Sequence, residues 1–456
     1  MDASLYEKPL ILILKVMRAV YTKNNNISEV VKLDLCTGCG TCVSVCPVEC
    51  IQMQEDIKKG IYVPQVDESK CIYCGLCLKV CPGLSINFDL LNMQIFNKIP
   101  ANNLLGNYIH CYIGYSVDHY IRYNSSSGGL ITALLCFMLE ENIIDGALVT
   151  VMDCENPLRP RVILATSRKE IISSSGSKYC PVPLNASLKK VLKLNGSFAM
   201  VGLPCHVHGV RKFAILNERI KEKIKYIFGL FCANTVTFLG TEYFLGKYNI
   251  RKNDISKIRY RGEGWPGFIT VTTKDGTRYK IRRGPSEKNL LYKAIYSSAF
   301  HYDFIPYRCL LCPDQTNLLA DISFGDAWLP ELLRFKSAGF SVVVSRTKKG
   351  QEILNKALKR KVIKLIKIDE KTFSRTGNFR FKSHVGGRIQ ILKRLKKPVP
   401  FFIEKNLRMH AGIIDYLHFL FYLPSFISER RGIWRILPII ALFRTCISKY
   451  IKLRIS

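Results

Sequence analysis

Two runs of cysteine carry the strongest chemical signal in this chain. Cys36-Thr-Gly-Cys39-Gly-Thr-Cys42-Val-Ser-Val-Cys46-Pro47 is repeated, 35 residues on, as Cys71-Ile-Tyr-Cys74-Gly-Leu-Cys77-Leu-Lys-Val-Cys81-Pro82. A cubane iron–sulfur cluster needs four thiolates converging from a tight loop. In a C-x2-C-x2-C-x3-C-P repeat, three come from the turn and the fourth serves the other cluster. The pattern assigns Cys36, Cys39, Cys42 and Cys81 to one [4Fe–4S] cluster, and Cys71, Cys74, Cys77 and Cys46 to a second. Zinc sites favour well-separated pairs over three cysteines at two-residue gaps. Disulfides need an oxidising compartment, and the apolar run Pro9–Val20, preceded by Asp2 and Glu7, reads as a docking helix rather than an export address.

Four further cysteines stand near expected strand ends. The strand Ser197–Leu203 runs into Pro204-Cys205-His206-Val-His208, and Lys225–Phe231 runs into Cys232-Ala-Asn234. Open α/β sheets place ligands just past the carboxyl ends of their strands. Cys309 and Cys312 form a C-x2-C pair that suits zinc, redox chemistry or a cluster. With Cys205 and Cys232 they make four ligands, enough for a third cluster, although a single cysteine more often behaves as a small buried hydrophobe. His206 and His208 are expected to serve loop packing or cofactor contact. Cys50, Cys111, Cys136, Cys154, Cys180 and Cys446 lack partner spacing and are assigned structural roles.

Two Ser/Gly loops could hold phosphate. Ser126, Ser127, Gly128 and Gly129 open an apolar helical run, Leu130–Leu139, and Gly176, Ser177, Lys178 and Tyr179 follow a strand at Arg161–Thr166 and a short helix. Free amides at a helix's positive end bind anions, though a plain serine N-cap is the commoner use of such residues. Neither loop is a G-x-G-x-x-G or Walker A sequence.

The elements that must position these residues follow from pattern. Strands at Tyr108–Val117, Ala147–Met152 and Ser341–Arg346, a helix at Gln351–Lys359 and a hairpin through Asp275-Gly276 indicate an α/β region. Asn87–Ile109 reads as a linker. The expected fold is α/β (α+β overall): a small dicluster ferredoxin domain, a larger α/β region and a helical basic tail. The divisions fall at 1–30, 31–90, 100–190, 191–375 and 376–456. At 456 residues, with a formal charge of +33, the chain far exceeds a ferredoxin. From Thr376 onward 16 Lys and Arg face 3 Asp and Glu, a net of +13, in apolar runs at Ala411–Ile427 and Ile433–Ile447. Each run falls short of the roughly 20 apolar residues that span a bilayer, so the tail reads as interfacial helices, a docking face or a cap on the core. No nucleic-acid motif accompanies the charge, and no nucleic-acid partner is expected.

Taken in order, Ser126-Ser-Gly-Gly129, Gly176-Ser-Lys-Tyr179, Val201-Gly-Leu-Pro-Cys205, Gly229-Leu-Phe-Cys232, Arg261-Gly-Glu-Gly-Trp-Pro266, Cys309-x2-Cys312 and Ile322-Ser-Phe-Gly-Asp-Ala-Trp328 form a specific series. It resembles the family of coenzyme F420 hydrogenase/dehydrogenase beta subunits, which includes 7-hydroxymethyl chlorophyll a reductase, over roughly residues 31–370. The resemblance implies an oxidoreductase, a flavoprotein with FAD beside the clusters. It implies Cys205, Cys232, Cys309 and Cys312 as ligands of a third [4Fe–4S] cluster, and the two Ser/Gly loops as flavin contacts; Lys178, Arg261 or a backbone N–H is then expected to stabilise the reduced flavin. The implied partners are coenzyme F420 or a similar hydride carrier and a redox protein, either a ferredoxin or an oxidoreductase subunit. The family also holds reductases of organic substrates, and an electron-wiring subunit without flavin is a further alternative. The expected location is the cytoplasm, with contact to the membrane's cytoplasmic face through the tail.

Overall fold

The computed structural model describes residues 25–283, 288–332, 338–404, 407 and 410–444. The docking helix expected at Pro9–Val20, and Cys446, lie outside the described residues.

The cysteine repeat folds as a structural repeat. Each C-x2-C-x2-C turn enters a short helix, Thr41–Val45 or Leu76–Lys79, through a glycine in the left-handed region: Gly40 at φ +82° and Gly75 at φ +71°. A hairpin joins the two halves, β1 (Ile51–Asp56) pairing antiparallel with β2 (Ile61–Val66), Ile51 opposite Val66. The halves differ in surroundings. A methyl group on Gly40 would meet the amide nitrogen of Ala186 at 2.7 Å, whereas one on Gly75 would meet nothing within 4 Å among the described residues. The first half is therefore docked on the rest of the chain, while at the matching glycine no described residue packs on the second half.

β3 (Ser85–Asn87) leads directly into a helix, Phe88–Phe96, where a linker was expected. Asn87 caps it by accepting from the Leu90 amide, and Phe88 and Leu91 are buried beneath it. A cap residue that also reads as a turn residue hid the element.

The larger region is built on one mixed sheet. In chain order its strands are β4 (His110–Ser116), β5 (Gly146–Met152), β6 (Pro160–Ala165), β7 (Phe198–Gly202) and β8 (Ile224–Leu230). A separate antiparallel sheet follows, β9 (Ile255–Arg259), β10 (Phe268–Thr273) and β11 (Arg278–Arg282). β12 (Ile322–Asp326), β13 (Ser341–Ser345) and β14 (Ile363–Ile368) complete the large sheet in the order β14-β4-β13-β12-β8-β7-β5-β6. β5, β7, β8 and β12 run parallel. β13 runs against both β12 and β4, with Ser341 opposite Asp326 and Gly114, so the carboxyl ends of β4 and β12 share one edge of the sheet with those of β8, β7 and β5. The helix Leu130–Glu140 is buried on nearly every face, as its unbroken apolar sequence requires.

The tail is packed on this body. β15 (Phe401–Ile403) adds in parallel to β3, with Phe402 beside Ile86. Trp434 packs edge-on against Tyr243 and Phe304, Leu437 is fully buried, and Arg444 pairs with buried Asp303 at 2.6 Å. Among the described residues no helix is long and apolar enough to cross a membrane.

Candidate functional site

The chemistry-bearing residues gather at the carboxyl edge of the parallel strands. After β7 the chain passes through Leu203 into the helix Pro204–Leu216, whose first-turn proline needs no hydrogen-bond partner. Cys205 therefore stands at the helix start. His206 folds back: its Nδ1 accepts from the Leu203 amide at 3.1 Å, and its Nε2 donates to the Val182 carbonyl at 2.8 Å. Burial pushes its pKa down to about 4, so the ring is neutral and serves packing. After β8, the Cys232 amide donates to the Gln315 carbonyl at 2.8 Å, tying this loop to the segment that follows Cys312. That segment is fixed by Asp314, which accepts from the amides of Asn317 and Leu318 and from His208 Nε2 at 2.8 Å.

Cys205, Cys232, Cys309 and Cys312 line one cavity, together with Thr37 and Pro82 from the cysteine repeat and with Lys382. Loss of water raises the pKa of the Cys205 thiol well above its usual value, and the charges of Cys39, Cys309, Cys232 and Cys312 add to the rise. Cys232 and Cys309 are raised first by burial as well, with Lys382 opposing. Three thiols raised by burial, with Cys312 on the same cavity wall, are poor isolated thiolates and a suitable donor set for a bound cationic core. The chemistry of this set fits a [4Fe–4S] cluster or a zinc ion held by four thiolates.

The first repeat set borders this cavity through Thr37 and Pro82, and Cys77 of the second set acts on Cys42 of the first. Cys36, Cys39, Cys42 and Cys81 lie close enough for their charges to act on one another: Cys42 is raised by burial and then by Cys39, Cys36 and Cys81. In the other set burial pushes Cys77 up to about 12, and Cys74 adds to it. Here Cys74 is exposed and Cys71 half-buried, whereas Cys39, Cys42 and Cys81 are buried. Lys212, on the helix that Cys205 begins, donates to the carbonyls of Cys81 and Ser85 at 2.8 and 2.7 Å. Arg308, the neighbour of Cys309, donates to those of Gly83 and Pro82 at 2.8 and 2.9 Å.

The structure also brings the two Ser/Gly loops together. Ser126 Oγ accepts from the amide and the hydroxyl of Ser177 at 2.7 and 3.0 Å, across 51 residues of sequence. Ser127 Oγ pairs with Ser341 Oγ at 2.8 Å, and Gly128 is wedged against the backbone of Gly114 and Ser341. Gly129, at φ +76°, precedes the helix Leu130–Glu140, and no side chain caps that end. Lys178 Nζ rests on the Ser174 carbonyl; desolvation lowers its pKa to about 7, with Arg259 adding to the fall and Cys180 opposing it. Tyr179 turns the other way, accepting from Arg283 at 3.1 Å and packing on Tyr260 and Phe300.

Arg261 closes the junction. Its guanidinium binds Asp326 Oδ2 at 2.6 Å and the Ser126 carbonyl, and Trp265 packs on Trp328 with centroids 4.6 Å apart. Among the described residues, Arg261 Nε and Trp265 Nε1 are buried without a hydrogen-bond partner. Such orphaned donors, beside an uncapped helix start and a desolvated lysine, fit an anionic cofactor with acceptor atoms. The sequence motif includes Arg261 but carries no sign of its pairing with Asp326 or of the Trp265–Trp328 contact.

Three comparisons bear on this arrangement. The family model for the coenzyme F420 hydrogenase/dehydrogenase beta subunit matches in its N-terminal part over residues 111–189 and in its C-terminal part over 196–371, and a 4Fe-4S dicluster model matches 35–83. The coenzyme F420 hydrogenase subunit beta of Methanosarcina barkeri is 28% identical over 265 residues, 56% of this chain and 80% of its own. That of Methanothermobacter thermautotrophicus is 27% identical over 278 residues, 59% of this chain and 87% of its own. The coenzyme F420-dependent sulfite reductase of Methanocaldococcus jannaschii is 26% identical over 350 residues, 72% of this chain, and the match spans about half of that protein, 47%. A chain of the solved F420-reducing [NiFe] hydrogenase complex of Methanosarcina barkeri superposes with a TM-score of 0.47 at 24% identity, covering 64% of this chain and 96% of its own.

Proposed function

Because the chain belongs to the family of coenzyme F420 hydrogenase/dehydrogenase beta subunits and carries a 4Fe-4S dicluster domain, we propose that this oxidoreductase passes electrons between coenzyme F420 and a one-electron redox partner. The observation that carries the proposal is the convergence of Cys205, Cys232, Cys309 and Cys312 on one cavity edged by the cysteine repeat, with Cys39 the foremost thiol charge acting on Cys205. These four would hold a third cluster, and the two repeat sets the other two.

FAD at the Ser/Gly junction would supply the exchange between hydride chemistry on one side and single electrons on the other. Ser126, Ser177 and the leading amides of the helix Leu130–Glu140 would cradle its phosphates, with Gly128, Gly129 and Gly176 giving the backbone its close approach. Lys178 supplies a proton-dependent positive charge. Arg261, held by Asp326, keeps a fixed charge beside the cofactor, and Trp265 and Trp328 exclude water. The overall basic charge suits an acidic carrier.

The second repeat set is the outlet. Beside exposed Cys74 in the chain, Ile72 is 61% exposed and Tyr73 is exposed too, apolar surface that suits a redox protein. The tail suits an anionic lipid surface: Ile413 is 80% exposed, Ile414, Leu417, Leu420, Ile436 and Ile439 are exposed too, and so are Arg430, Arg431 and Arg435.

Anaerobic purification with iron, sulfide, zinc and flavin analysis tests this reading. About twelve irons and one FAD per chain support it. About eight irons with one zinc remove the third cluster, and absent flavin leaves an electron-wiring subunit.

A further inference from the structure

Cys50, to which spacing alone assigns a structural role, lies inside the second cysteine set. It is 4% exposed, its Sγ is 3.5 Å from Cys46 Sγ, and its thiol is also a hydrogen-bond partner of Cys71. Its position is built in. The Cys50 carbonyl accepts from the Asp67 amide at 2.8 Å, and the next residue, Ile51, starts β1 opposite Val66. Cys46 is held independently, its carbonyl accepting from Lys189 Nζ at 2.9 Å. Only the loop Pro47-Val48-Glu49, with all three residues exposed, separates the two.

A cubane cluster has four iron corners, each taking one protein thiolate. Cys71, Cys74 and Cys77 fill three, which leaves two adjacent thiols for the fourth. We propose that Cys50 is an alternate ligand for the corner that Cys46 serves, an inference that rests on the second set holding a cluster. In the exchange the iron–Sγ bond to Cys46 breaks, the bond to Cys50 forms, and the Cys50 proton passes to the departing Cys46 thiolate. No electron is gained or lost. The first set has no counterpart to this neighbour in the sequence: position 85, which matches Cys50 across the 35-residue repeat, is Ser85.

The test is iron and sulfide content, with low-temperature EPR of the dithionite-reduced full chain, for Cys46→Ala, Cys50→Ala and the double variant. The expected result is full iron in both single variants, an altered EPR signal in Cys46→Ala only, and loss of about four irons in the double variant. A Cys46→Ala chain that loses those irons or fails to fold, beside a normal Cys50→Ala chain, overturns the proposal. Cys74→Ala separates this from the underlying reading: unchanged iron there would mean that the second set holds no cluster, and would overturn both.

Discussion

The backbone amide of Asn185 donates to the carbonyl of Cys39 at 2.9 Å. Its side-chain amide donates to Thr41 Oγ1 at 2.9 Å and to the His206 carbonyl at 2.8 Å. One buried residue thus joins the loop of the first repeat set to the turn that carries Cys205.

Asn185→Ala removes two buried hydrogen bonds and leaves the His206 carbonyl and Thr41 hydroxyl to find other partners. The expected cost is about 1–3 kcal/mol per group left unsatisfied. A denaturant titration checks it, with a lowered midpoint and an unchanged slope. Iron content should stay at the wild-type value, because no thiol is touched.

Cys309→Ala should remove one cluster, about four irons per chain, while the repeat sets remain. Visible absorbance and iron analysis read this directly. Unchanged iron would show that the four cysteines at the strand ends do not act as one site.

At the proposed flavin site, Lys178 should introduce a pH dependence. Its pKa is held at about 7 against an ordinary value of 10.5, chiefly by desolvation. A bound phosphate restores the charged form, so binding takes up a proton above pH 7. Affinity for FAD should fall as pH rises from 7, by up to about tenfold per pH unit until the bound-state pKa is reached. For the cofactor-free fold the sign is reversed: charged Lys178 is disfavoured relative to the unfolded chain, and stability from this group grows between pH 7 and 10.5. Lys178→Met should flatten the binding profile, measured by flavin fluorescence.

The proposed contact of the tail with anionic lipid is best tested by point substitution. Deleting residues 411–456 would also strip Leu437 from the core and leave Asp303 buried without Arg444. Ile413→Asp with Leu420→Asp changes exposed positions only. The double variant should lose sedimentation with anionic vesicles while keeping its iron; unaltered sedimentation would assign the tail to another surface.

Much of this architecture is legible in sequence, for physical reasons. Strands β4 to β8 and β13 fall within one or two residues of their apolar runs because each is bounded by turn or cap residues. The cysteine spacing is readable because a cluster's ligand geometry is local. Long-range contacts are not readable: Ser126 meets Ser177 across 51 positions and Arg261 meets Asp326 across 65, and no periodicity reports such a distance. The helix Phe88–Phe96 is hidden by its own Asn87 cap and by the turn residues that follow it. Cys50 escapes a reading by spacing because it breaks the repeat, although its thiol lies among those of the second set.

On the proposed function, a two-electron carrier and one-electron centres meet in this chain. The most direct test is an anaerobic titration of the purified protein with reduced coenzyme F420, followed by absorbance and then EPR. The expected result is bleaching of the flavin band and the appearance of reduced-cluster EPR signals in proportion to carrier consumed. A protein with full flavin and iron that stays oxidised under this carrier, yet is reduced by ferredoxin, would contradict it.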